Sequence, residues 1–177
     1  MSSNTHEQLL VNLAEQSQSR YYGKYRGIVR DVDDPENLGR VKAQVPELFG
    51  TVDLDWAFPV VPFAGPNHGL VVLPEVGDGV WIEFEAGDPS RPLWTGGWWG
   101  SGDLPSPGGT KTRVLVTTGG HKLVMDDDEI APKVQLLHAG GAELTMTDND
   151  ITLKIGSTQI VLSSAGVNVN NGAFQVR

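Results

Sequence analysis

AELTMTDNDITLKIGS (residues 142–157) runs without a gap into TQIVLSSAGVNVNNGA (158–173). Laid over each other, the two stretches agree in pattern. Leu144 falls on Ile160, Met146 on Leu162, Ile151 on Val167, Leu153 on Val169 and Gly156 on Gly172, while Ile155 falls on Asn171 and breaks the match. Within each unit the apolar residues alternate with polar ones over two short runs, the period of half-buried β-strands. The repeat continues upstream. HKLVMDDDE (121–129) resembles AELTMTDND, and KVQLLHAG (133–140) resembles ITLKIGS, with a small insertion around Ile130 to Pro132. Self-similarity of this kind marks a repeat architecture.

Each strand offers only two or three apolar side chains, and no helical segment is left to cover them. Leu144, Met146, Ile151, Leu153, Ile160, Leu162, Val167 and Val169 form the expected inner face. Burial is worth roughly 25 cal/mol per Å² of apolar surface, whereas ordering the backbone costs roughly 1–2 kcal/mol per residue. An uncovered face contributes nothing to offset that cost, and its open strand edges invite association. A closed cyclic assembly of identical chains covers both face and edges. Composition does not fix the number of chains; three winding about one axis would give a prism with Leu, Ile and Val inside and Asp, Thr, Asn and Lys outside.

The 177 residues divide by composition. All five Trp, all three Tyr and ten of eleven Pro lie at or before Pro107. Up to that point there are 7 basic and 15 acidic residues, and beyond it 6 and 7. The change centres on the Gly/Pro/Ser stretch GSGDLPSPGG (100–109), which reads as a linker. The expected divisions are an N-terminal helical docking segment (1–20), a first β domain (21–99), a linker (100–112) and the repeat domain (113–177). In the first segment, Leu9 with Leu13 and Leu10 with Ala14 have helical spacing.

Residues 21–99 read as short strands separated by turns. DDPENLG and PEVGDG are dense turn signals. RVKAQV places Val41, Ala43 and Val45 on one face and Arg40, Lys42 and Gln44 on the other. VWIEFE places Val80, Ile82 and Phe84 opposite Trp81, Glu83 and Glu85. Five or so strands in about 80 residues suit a small OB-like barrel.

A net charge of −9 argues against binding nucleic acid, which requires clustered Lys and Arg. With no cysteine there is no disulfide, thiolate zinc site or cysteine nucleophile. No run reaches the roughly 18–20 apolar residues of a membrane helix, and the N-terminus lacks a basic secretory signature, so a chain made in the cytoplasm is expected. No nucleophile elbow, phosphate loop or His-Glu-x-x-His occurs. Glu83 and Glu85 have the separation of a glycosidase pair but no sign of a cleft, so no enzyme is expected. His121 with the 126–129 acidic run matches no metal-ligand spacing, and His68 and His138 read as isolated, so no cofactor or metal is expected. Trp94, Trp98 and Trp99 either pack the barrel, the preferred reading, or form a stacking platform for sugars.

An ordered series of motifs resembles the OB-fold domain of phage baseplate assembly protein V, the VgrG proteins of type VI secretion and the central spikes of contractile phages. It comprises Asp34-Pro35, Leu38-Gly39-Arg40-Val41, Val45-Pro46, Trp56-Ala57, Pro62-Phe63-Ala64-Gly65, Leu73-Pro74-Glu75-Val76-Gly77-Asp78, Val80-Trp81-Ile82-Glu83-Phe84-Glu85, Gly87-Asp88-Pro89 and Arg91-Pro92-Leu93-Trp94. TTGGHKLVMDDDE (117–129) resembles the first turn of the β-prism that follows that barrel. The resemblance covers residues 21–177. It implies an all-β homotrimer: three OB barrels as a collar on a separate hub protein, and three C-terminal segments intertwined into a β-helical needle. Sheath contraction would drive the needle through a target envelope, with transient membrane contact. The setting would be a phage tail, a tailocin or an extracellular contractile particle. Unlike some such spikes, this one shows neither a lysozyme insertion nor a terminal His-x-His. A PAAR-type tip protein is therefore expected to cap it through Phe174 and Val176. The competing reading is a carbohydrate-binding or depolymerising tail protein using Trp94, Trp98 and Trp99.

Overall fold

A computed structural model describes Gln8 and residues 20–176. The helix expected near the N-terminus lies outside the described residues, Gln8 excepted. The chain forms two compact units, Met1–Gly100 and Ser101–Arg177.

The first unit is built on β1 (Tyr25–Asp31), β2 (Lys42–Gln44), β3 (Phe58–Pro59), β6 (Gly79–Phe84) and β7 (Pro92–Trp98), ordered β2-β1-β6-β7-β3 in one sheet. A short helix, α1 (Pro46–Phe49), follows β2, and a separate hairpin joins β4 (Ala64–Gly65) to β5 (His68–Gly69). The sheet curls back on itself. Val41 and Ala57 exchange backbone hydrogen bonds at 3.1 and 2.8 Å, and Leu54 N donates to Ala43 O at 2.9 Å. These bonds tie the β2 side to the segment leading into β3, which runs beside β7. The result is an OB-like barrel.

Alternation explains its core. Val41, Ala43 and Val45 point inward from one segment and Val80, Ile82 and Phe84 from another, joined by Val29, Leu54, Ala57 and Trp94. Tyr21, Tyr25, Phe49 and Phe84 close one end with ring centroids 5.5–6.3 Å apart. Arg40 keeps the face it shares with Lys42, the two cations lying 5.7 and 5.0 Å from the Trp56 ring, but it is buried there, covered by Asp34 from the preceding turn. Glu85 departs from its expected face. It leaves the strand for a 3₁₀ turn, Glu85–Gly87, and pairs with Arg91, so it does not continue the Glu83 face.

The second unit is an eight-stranded antiparallel meander in sequence order. Its strands are β8 (Thr112–Val116), β9 (Lys122–Asp126), β10 (Lys133–Leu137), β11 (Ala142–Met146), β12 (Asp150–Ile155), β13 (Thr158–Ser163), β14 (Gly166–Val169) and β15 (Phe174–Val176). The repeat units are hairpins, β11–β12 and β13–β14. The upstream copy is β9–β10, whose loop, residues 127–132, carries the insertion around Ile130 to Pro132. Val124 is buried on the face met by the segment before β8, where Lys122 Nζ donates to Ser106 O at 2.9 Å.

Candidate functional site

In an antiparallel sheet, residues directly opposite each other share a face. The register of the meander therefore assembles two columns. One runs Leu115, Leu123, Leu136, Leu144, Leu153, Ile160, Val169, Phe174. The other runs Arg113, Met125, Val134, Met146, Ile151, Leu162, Val167. All eight residues expected on the inner face of the repeat lie in these columns. Ile155, Ala142 and Thr158 start a third row on the same side.

The opposite side is polar from β10 onward except at Leu137 and Val161. Gln135, Thr145, Thr152, Val161 and Asn168 stand in line, and Gln135 Nε2 donates to Thr145 Oγ1 at 3.1 Å. Beside them Lys154 pairs with Glu143 at 3.4 Å.

The apolar side is left open by this chain. Leu136 is 59 % exposed, Leu153 48 %, Leu162 48 % and Ile155 63 %. Leu144, Val167 and Val169 are half-buried. Part of the surface forms a wide concavity between β10 and β13, lined chiefly by Leu136, Leu144, Leu153, Ile155 and Ile160. A contiguous apolar surface of this length, rimmed by polar residues, is what an association face looks like.

Leu115, Leu123, Met125, Val134, Leu136 and Ile155 extend the face beyond the eight expected residues. The signal for four of them was present in the upstream repeat copy, which sets Leu123 and Met125 over Leu144 and Met146, and Val134 and Leu136 over Ile151 and Leu153. Phe174 is exposed at the end of its column, and the backbone of Val176 pairs with Val167.

The other candidates disperse. Trp94 is buried in the barrel, its Nε1 donating to Gly39 O at 3.1 Å. Trp98 lies against Gly79, where a Cβ would come within 2.5 Å of its ring, and its Nε1 donates to Val80 O. The Arg26 guanidinium covers Trp98 and Trp81 at 5.1 and 5.6 Å. Only Trp99 is widely exposed, so the three tryptophans do not form one platform. The acidic run is likewise dispersed among protein partners. Asp126 accepts from Thr112, Asp127 pairs with Arg113 at 2.5 Å, and Glu129 pairs with Lys111 at 2.6 Å. Asp128 accepts from Ile130 N and Ala131 N, and these two donors hold its carboxyl below the usual range.

His138, expected to stand alone, lies 4.5 Å from His121, ring centroid to ring centroid. Their Nδ1 atoms accept from Gly140 N and Ala139 N. In the neutral ring that places the proton on Nε2, a donor with no lone pair for a metal. His68 Nδ1 lies 3.1 Å from Pro66 O in the β4–β5 hairpin.

Two family models match the chain. Residues 25–99 match the type VI secretion system/phage-baseplate injector OB domain. Residues 112–175 match the phage baseplate V C-terminal trimerisation domain. The first match spans all the barrel strands and the second spans the meander from β8 into β15.

Proposed function

The chain belongs to the phage baseplate V family of injector proteins, with a structural role in a baseplate, and from that premise we propose that it is a homotrimeric piercing spike. Three copies bring their apolar columns to one axis and form the needle. Their barrels sit as a collar against a hub protein, and a PAAR-type protein caps the far end against Phe174 and Val176. Sheath contraction drives the needle through a target envelope. The particle is a phage tail or a related extracellular contractile machine.

The observation that carries this reading is the solvent-open double column of Leu, Ile, Val and Met on a unit of trimerisation type. Mass measurement on the purified chain tests it. The expected particle is three times the 19.0 kDa chain and resists heat and SDS. A 19.0 kDa monomer at micromolar concentration would end the reading. Capture of the neighbouring PAAR-type product by the trimer tests the cap, and no binding would remove it.

A further inference from the structure

Residues 56–74 contain no Asp, Glu, Lys or Arg, although residues 20–100 hold 7 basic and 12 acidic side chains. The charge-free stretch reaches the surface. Phe63 is 57 % exposed, Val71 80 % and Val72 52 %, and Leu70 and Leu73 lie open beside them. Among the described residues the β4–β5 hairpin within it pairs with no other strand, and Leu70 N donates to Phe63 O at 3.3 Å. Beyond that bond, the backbone N–H and C=O groups of Val71, Val72 and Leu73 enter no hydrogen bond among the described residues.

An exposed apolar run with unpaired backbone is a surface made to be covered. Whatever covers its side chains also buries neighbouring amides, so it must supply hydrogen bonds as well as apolar contact. We propose that residues 70–73 form a barrel-to-barrel contact, covered by a second copy of this chain within the trimer; the proposal rests on the trimeric reading above.

Charge argues for that occupant. Copies of an acidic barrel repel wherever their charged surfaces meet, and a stretch with no ionised side chain lets them touch. Tethering argues for it too. Residues 99–111 join β7 to β8 and span at most about 45 Å when fully extended. Three barrels held together by their C-terminal units are therefore at high effective concentration, where even a weak contact forms.

Hydrogen exchange on the full chain, read with its mass, tests the contact. In the wild-type trimer, the amides of residues 70–73 should exchange at least tenfold more slowly than in the Leu153→Asp chain, built to remain monomeric. The Val71→Arg chain provides a second arm, because Val71 is too exposed for its replacement to unfold the barrel. It should remain trimeric and lose protection at Val72 and Leu73. A wild-type trimer whose residues 70–73 exchange at free-chain rates overturns this contact and leaves the trimer standing. So does unchanged protection in Val71→Arg. A monomeric wild type overturns both readings.

Discussion

Arg40 Nη2 lies 2.6 Å from Asp34 Oδ1, with the two side chains 9 % and 4 % exposed. Arg40 Nε donates to the same oxygen at 3.0 Å, while Asp34 Oδ2 accepts from Leu38 N and Arg40 N. One carboxylate thus closes the whole turn between β1 and β2. Glu36 adds a second, exposed acid to the guanidinium at 3.0 Å. A buried pair of this kind is sensitive to losing one partner, because the other is left charged and unpaired.

That geometry makes barrel stability depend on acid. The Arg40 hydrogen bond, followed by backbone donors in the turn, holds the Asp34 carboxyl well below the usual carboxylate range. A group lowered on folding stabilises the fold fully above its unfolded pKa, about 4. That stabilisation is lost as pH falls from there toward the folded value. Thermal melts followed by Trp fluorescence should therefore decline steeply below about pH 4. Asp34→Asn should melt lower at pH 7 and decline less below pH 4; parallel curves would show that Asp34 is not the linked group.

Leu153 and Lys154 are neighbours in β12 that point to opposite faces. Leu153→Asp would set three carboxylates together on the axis, and the expected outcome is loss of the trimer by light scattering at micromolar concentration. Lys154→Ala removes only an exposed ion pair with Glu143 and should leave the trimer intact, with a stability change within about 0.5 kcal/mol. A heat-resistant Leu153→Asp trimer would show that the columns face outward.

The register that places Leu153 was readable in the sequence because the repeat is regular: period two fixes the face, and short turns fix neighbours in space. The burial of Arg40 is not legible that way. Alternation sets it on one face with Lys42 and Gln44, where it stays, and only the return of Asp34, six residues earlier in the chain, covers it there. Local pattern is silent on such a return. Glu85 was misplaced for a related reason: the strand ends at Phe84, and Ala86 takes a left-handed backbone that turns the chain. The His121–His138 contact joins two turns across β9 and β10, a distance in sequence that no spacing motif encodes.

The tryptophans should separate by stability. Trp94→Ala empties a buried site and should lower the unfolding free energy by about 3–5 kcal/mol in urea titrations. Trp99, 66 % exposed, should tolerate Ala within about 0.5 kcal/mol. Comparable losses at both positions would mean that Trp99 packs against something in the assembly.

Asn171 is where the repeat breaks against Ile155, and the structure gives the reason. Asn171 has φ +54°, within the 3₁₀ turn Asn170–Gly172. Its Oδ1 accepts from Gln159 Nε2 at 2.7 Å, and Asn168 Oδ1 accepts from Gly172 N. The second unit thus ends in a side-chain-bonded turn where the first ends in the tight Gly156 turn, with Ile155 still in β12. Asn is among the few residues other than glycine that adopt a positive φ readily, whereas a β-branched side chain is strained there. Restoring the repeat with Asn171→Ile should therefore destabilise the C-terminal end by about 1–3 kcal/mol. Asn171→Gly, which keeps the backbone and loses only the amide bond, should cost about 1 kcal/mol or less. Hydrogen exchange across β14 and β15 reads both variants. If Asn171→Ile protected those strands better than Asn171→Gly, the break in the repeat would owe nothing to backbone conformation.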